Sequence, residues 1–81
     1  MQVHLLLFAL YRDLTGVDEL NVEVADGATA AAALAGLRQS DPRFAVLPDR
    51  PVIALNRELA QLDAVLRDGD ELALLPPVAG G

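Results

Sequence analysis

Few side chains in this sequence can do chemistry on their own. There is one His (His4), one Ser (Ser40), no Cys and no Lys in 81 residues. Without Cys there is no disulfide, thiolate metal site or cysteine nucleophile. Without Lys there is no Schiff-base chemistry and no P-loop lysine. A Ser-His-acid triad needs His4 and Ser40 together beside a carboxylate. Instead, His4 falls in an apolar N-terminal run and Ser40 in a polar stretch after a predicted helix. Asp68, Asp70 and Glu71 could hold a divalent cation, but their spacing is not an EF-hand loop and no His or Cys joins them. Asp and Gly are also what a turn requires, and the turn is the reading adopted. His4 alone is read as a strand residue, since a metal needs several convergent ligands. Most self-contained catalysts are thereby excluded.

The C-terminus, Pro76-Pro77-Val78-Ala79-Gly80-Gly81, is different. Two terminal glycines arise by chance in roughly 0.5% of chains, taking Gly usage as about 7%. A frayed end is the bland reading. Against it, Pro-Pro favours a stiff, extended exit from the last strand. Six residues reach about 20 Å. Gly80 and Gly81 have no side chains to block entry to a narrow channel. Such a projecting carboxylate suits activation by another enzyme. Composition alone leaves both readings open.

The remaining residues must position that tail. At 8.6 kDa the chain has room for one domain with a thin core. Hydrophobic residues make up 53%, mostly Leu and Ala, which belongs to a folded chain rather than a disordered one. The apolar run Val3 to Leu10 predicts a central strand buried on both faces. Ala9 to Thr15 can form a short helix closed by Gly16. Leu20 to Val24 alternates as a half-buried strand does, and Asp26-Gly27 makes a turn. Thr29 is a candidate N-cap for a helix from Ala30 to about Gln39, with Ala30, Ala33, Leu34 and Leu37 on its core face. Gly36 within it is either a close-packing site or a plain cost in helix propensity. Asp41-Pro42 ends the helix, and a loop runs through Pro48-Asp49. Pro51 to Leu55 and Glu58 to Ala60 read as strands joined by a tight Asn56-Arg57 turn. Leu62 to Leu66 is a short connection, and Arg67-Asp68-Gly69-Asp70 is a turn. Glu71 to Leu75 is the last strand, ended by Pro76-Pro77. This order predicts an α+β fold, a mixed sheet of four to five strands packed on one main helix. Residues 1–75 are expected to form the domain and 76–81 a flexible, extended tail.

The net charge of −6 and pI of about 4.4 repel nucleic acid and anionic membranes and favour basic protein surfaces. No apolar run approaches the ~20 residues of a membrane span, and the start of the chain lacks a basic signal-peptide region. A cytoplasmic location is expected.

At this point the residues resemble a known family, the MoaD-type small subunits of molybdopterin synthase, related to ThiS, among the ubiquitin-like sulfur carriers of β-grasp fold. The resemblance covers essentially the whole chain. It is carried by Phe8-Ala9-Leu10-Tyr11-Arg12-Asp13-Leu14-Thr15-Gly16, by Ala54-Leu55-Asn56, by Leu66-Arg67-Asp68-Gly69-Asp70-Glu71-Leu72 and above all by the tail. Leu74-Leu75 stands where family members often carry Phe. The resemblance implies that an E1-like (MoeB-like) enzyme adenylates the Gly81 carboxylate with ATP and that a sulfur donor converts it to a thiocarboxylate. Pro76, Pro77, Val78, Ala79 and Gly80 then enter a large, MoaE-like subunit, where sulfur passes to the cyclic pterin precursor of the molybdenum cofactor. It further implies a heterotetramer, no cofactor bound to this chain, and catalytic side chains on the partners. Phe8, Leu59, Leu74 and Leu75 are the expected apolar docking residues. The rival readings are a sulfur carrier for thiamin thiazole or cysteine synthesis, a ubiquitin-like protein modifier, and a plain binding module with an incidental tail.

Overall fold

The structure, a computed structural model, describes residues 1–76. Strand β1 (Gln2–Leu7) leads into helix α1 (Ala9–Thr15), then strand β2 (Glu19–Glu23) and helix α2 (Ala30–Ser40). A 3₁₀ turn (Pro42–Phe44) precedes strands β3 (Val52–Leu55), β4 (Glu58–Ala60) and β5 (Glu71–Leu75). The sheet order is β2-β1-β5-β3-β4. The central pair β1–β5 is parallel, and every other pair is antiparallel. A parallel pair cannot be closed by a hairpin, so the chain crosses between the sheet's two sides by way of α2. A mixed sheet with its parallel pair at the centre and one main helix on a single face is the β-grasp arrangement expected from the resemblance.

Local chemistry sets the element ends. The Thr29 hydroxyl caps α2 by accepting from the Ala32 N–H at 3.1 Å. Gly16 ends α1 in the left-handed region at φ 75° and donates to the Arg12 carbonyl. The β3–β4 hairpin closes on Asn56 and Arg57, both at positive φ (51° and 72°), as a two-residue turn of type I′ requires. At the Arg67–Asp70 turn, Asp68 accepts from the Gln2 N–H at 2.8 Å and Asp70 from the Arg67 N–H at 2.7 Å. A second Asp70 oxygen accepts from the Asn56 side-chain amide at 3.0 Å. These carboxylates are used to build the turn. Among the described residues, no three His, Cys, Asp or Glu side chains converge as metal ligands.

The core lies between the sheet and α2. Val3, Leu5, Leu7, Ile53, Leu72 and Leu74 come from the strands, with Ala30 and Leu34 from the helix. Three expectations are corrected here. Strand β1 stops at Leu7 instead of continuing to Leu10, which is an exposed helical residue. Nor is β1 buried on both faces: Val3, Leu5 and Leu7 are buried, whereas His4 and Leu6 are only partly covered. The stretch read as a plain loop after α2 contains the 3₁₀ turn, whose Phe44 is fully buried, and Leu47 is nearly so.

Gly36 sits on the exposed side of α2, and a Cβ there would meet nothing within 4 Å. Close packing is therefore not its role. Gly36→Ala is expected to stabilise the fold by about 1 kcal/mol, seen as a higher urea midpoint with an unchanged m-value.

Candidate functional site

The sheet face opposite α2 carries a continuous apolar surface. Register places Leu6 beside Ala73, Ala73 beside Ala54, and Ala54 beside Leu59 in one row across four strands. Since side chains of a strand alternate between faces, Leu75 follows Ala73 on the same side. Phe8 follows Leu6 because its backbone stays extended (φ −119°, ψ 157°) even though it is the residue before α1 rather than a member of β1. Leu6, Phe8, Ala54, Leu59, Ala73 and Leu75, with Arg57 and Glu71, line a shallow depression of about 480 Å³. The two alanines form its floor. Phe8 and Leu59 stand up from it, 45% and 76% exposed. An exposed apolar patch of this kind marks an interface.

Of the four expected docking residues, the structure brings Phe8, Leu59 and Leu75 together here. Leu74 is a correction: it is fully buried in the core. It neighbours Ala73 and Leu75, and the strand's period of two points it toward α2. Leu6, Ala54, Ala73 and Arg57 join the face without having been singled out from the sequence. The signal available for two of them, Leu6 and Ala73, was the polar residue two positions before each, His4 in β1 and Glu71 in β5, which share one face once the strands are in register.

The other half of this face is polar. His4 Nδ1 lies 2.8 Å from the Asn21 side-chain oxygen, and its Nε2 lies 3.3 Å from the Glu19 carboxylate. The Asn21 contact, aided by Glu19, holds the imidazole pKa above its ordinary value. Ser40, at the end of α2 on the opposite face, donates to the Leu37 carbonyl. The two residues do not meet, so a Ser-His pair is absent. A second groove of about 410 Å³ lies between β2 and α2, lined largely by Val22, Val24, Ala28, Ala33 and Leu37. Its lining is mainly aliphatic and includes no His or Arg.

The parallel register, which ends with Leu7 opposite Leu74, puts the C-terminal ends of β1 and β5 side by side. Val52 pairs with Leu75 on the other edge. The chain therefore leaves the sheet between Phe8 and Val52, at the border of the apolar surface. Half-buried Pro76 is the first residue past β5. The other expected tail residues, Pro77, Val78, Ala79, Gly80 and Gly81, lie outside the described residues.

A β-grasp domain with an apolar sheet face beside the exit of a Gly-Gly tail defines a class of ubiquitin-like carrier and modifier proteins. The chain belongs to the ThiS family, whose model matches residues 5–81. It is 39% identical to a molybdopterin synthase sulfur carrier subunit from Chlamydomonas reinhardtii, with all of both chains covered. In structure it is similar to SAMP1 from Haloferax volcanii, with a TM-score of 0.83, 32% identity and full coverage of both chains. It is also similar to a chain in a protein–protein complex of subunits 1 and 2 of molybdopterin-converting factor from Helicobacter pylori, with a TM-score of 0.68, 28% identity and full coverage of both.

Proposed function

We propose that this chain is the sulfur carrier subunit of molybdopterin synthase. The observation that carries the reading is the apolar outer face running unbroken to the point where the tail leaves the sheet. A partner seated on Phe8, Leu59 and Leu75 receives that tail at its own surface. The large synthase subunit is this partner, and two copies of each make the working complex in the cytoplasm. The family match through Gly81 and the full-length likeness to a sulfur carrier subunit support this.

The chemistry follows from the poor reactivity of a carboxylate. An E1-like enzyme joins the Gly81 carboxylate to the α-phosphate of ATP, releasing pyrophosphate. Sulfide supplied by a donor then attacks the carbonyl carbon and displaces AMP, leaving a thiocarboxylate. That sulfur is nucleophilic at neutral pH without help from this chain, which fits its lack of Cys. Delivered to the large subunit, the sulfur bonds to the pterin precursor in place of an oxygen substituent, and water cleaves its bond to the Gly81 carbonyl, so the carrier returns as a carboxylate. This chain contributes the tail and the docking face, and its partners contribute the catalytic side chains.

The strong structural likeness to SAMP1 favours one alternative, a protein modifier. Intact mass after incubation with an E1-like enzyme, ATP and sulfide tests the carrier reading. One oxygen should be replaced by one sulfur, and a chain lacking Gly81 should not change. An unchanged mass for the intact chain overturns it. Gly81-dependent, higher-mass adducts on other proteins in place of the sulfur exchange favour the modifier.

A further inference from the structure

We infer that Arg57 is a specificity-determining anchor for a carboxylate on the large synthase subunit. This rests on the docking reading above. Arg57 occupies the second position of the β3–β4 turn at φ 72°, a conformation that glycine adopts freely and an L-residue adopts at a cost. The residue gains little inside the chain in return. Its side chain is 88% exposed, and its one ion pair among the described residues is with Glu71, 3.7 Å from Nε. That contact is longer than a hydrogen bond, and with the arginine so exposed the pair contributes very little. By contrast, Arg38 is hydrogen-bonded to Asp49, and Arg43 is paired with Asp41 at 2.7 Å.

Position supplies the reason for an arginine here. Arg57 is the cation lining the apolar depression, on the rim next to Leu59 and across from Glu71. Glu71 approaches through Nε, which leaves the two terminal nitrogens as a fork facing solvent at the edge of the docking face. Such a fork matches a carboxylate in two parallel hydrogen bonds, a geometry that lysine cannot reproduce. A backbone strain kept at the rim of a binding surface is the pattern expected of a functional constraint. The large subunit therefore presents an Asp or Glu to this rim, within a surface otherwise suited to an acidic chain of net charge −6.

Thermal melts and calorimetric titration against the large subunit test this with Arg57→Gly, Arg57→Lys and Leu59→Arg. Arg57→Gly should raise Tm by a few degrees, because the turn relaxes, while weakening binding about tenfold. Arg57→Lys should recover only part of that loss. A purely structural role would move stability and affinity together, so opposite directions support the anchor. Unchanged affinity in Arg57→Gly with binding lost in Leu59→Arg overturns the anchor and leaves the docking face standing. Unchanged affinity in both overturns the docking reading and the anchor with it. A defect confined to adenylation, with large-subunit affinity intact, also overturns the assignment.

Discussion

Phe44→Ala lowers the stability of this domain by about 3–5 kcal/mol. Phe44 is fully buried, in a three-residue 3₁₀ turn that packs against both α1 and α2. Its ring joins the same cluster as Tyr11, Leu34 and Leu47. The Arg43 guanidinium covers it from outside at 5.4 Å from the ring centroid. Asp41 holds that arginine and also caps the turn, accepting from the Arg43 backbone N–H at 3.0 Å. The Arg43 contacts pull the Asp41 carboxyl below its ordinary pKa. Removing the ring leaves a cavity that a turn tied at both ends cannot close. Small domains have about 5–15 kcal/mol in total, so the loss is a large fraction of what holds this one together. Urea denaturation measures it directly. A loss below about 1 kcal/mol shows that the helices pack without the turn.

The second large effect is on binding. Leu59→Arg is expected to weaken association with the large synthase subunit at least about 30-fold, the equivalent of about 2 kcal/mol for an apolar anchor replaced by a charge. Leu59 is 76% exposed and projects from the two-stranded end of the sheet. A charge there disturbs no buried group, so Tm should stay close to that of the unaltered chain. Stability and affinity then separate, which makes a weakened complex attributable to the face itself. Leu74→Arg offers no such separation, because it places an unpaired charge in the core. Calorimetry with the purified large subunit decides the matter, and full-strength binding by Leu59→Arg removes the outer face from the docking site.

The sequence made most of this architecture readable where local chemistry is unambiguous. Thr29, Gly16, Asn56-Arg57 and Arg67–Asp70 mark a cap, a helix end and two turns, and each occurs where its side-chain chemistry requires. The core face of α2 follows from its period of 3.6 residues. The face of β5 did not, because Leu72, Ala73, Leu74 and Leu75 are all apolar and hydrophobicity alone gives no phase. Glu71 supplies the phase once it is known to lie opposite His4, and that pairing is a tertiary fact. Phe44 escaped for a related reason. A single aromatic among Pro, Arg and Asp has no period at all, and only the packing of two helices makes it the plug between them. The candidate site was half legible: Phe8, Leu59 and Leu75 are large and apolar, whereas Ala54 and Ala73 matter by being small, which only their neighbours reveal.

The location of β5 has a mechanical consequence. The strand that continues into the tail is hydrogen-bonded along both edges, to β1 on one side and β3 on the other. A pull on the tail along the strand axis loads both ladders together, in shear, so that many bonds must give at once. An edge strand such as β2 or β4, tied on one side only, is held by half as many ladders. Under the proposed function, the end offered to the partner is thus fastened to the best-anchored segment of the sheet. Tension applied while the tail is drawn inward can be borne by the whole domain without peeling it open.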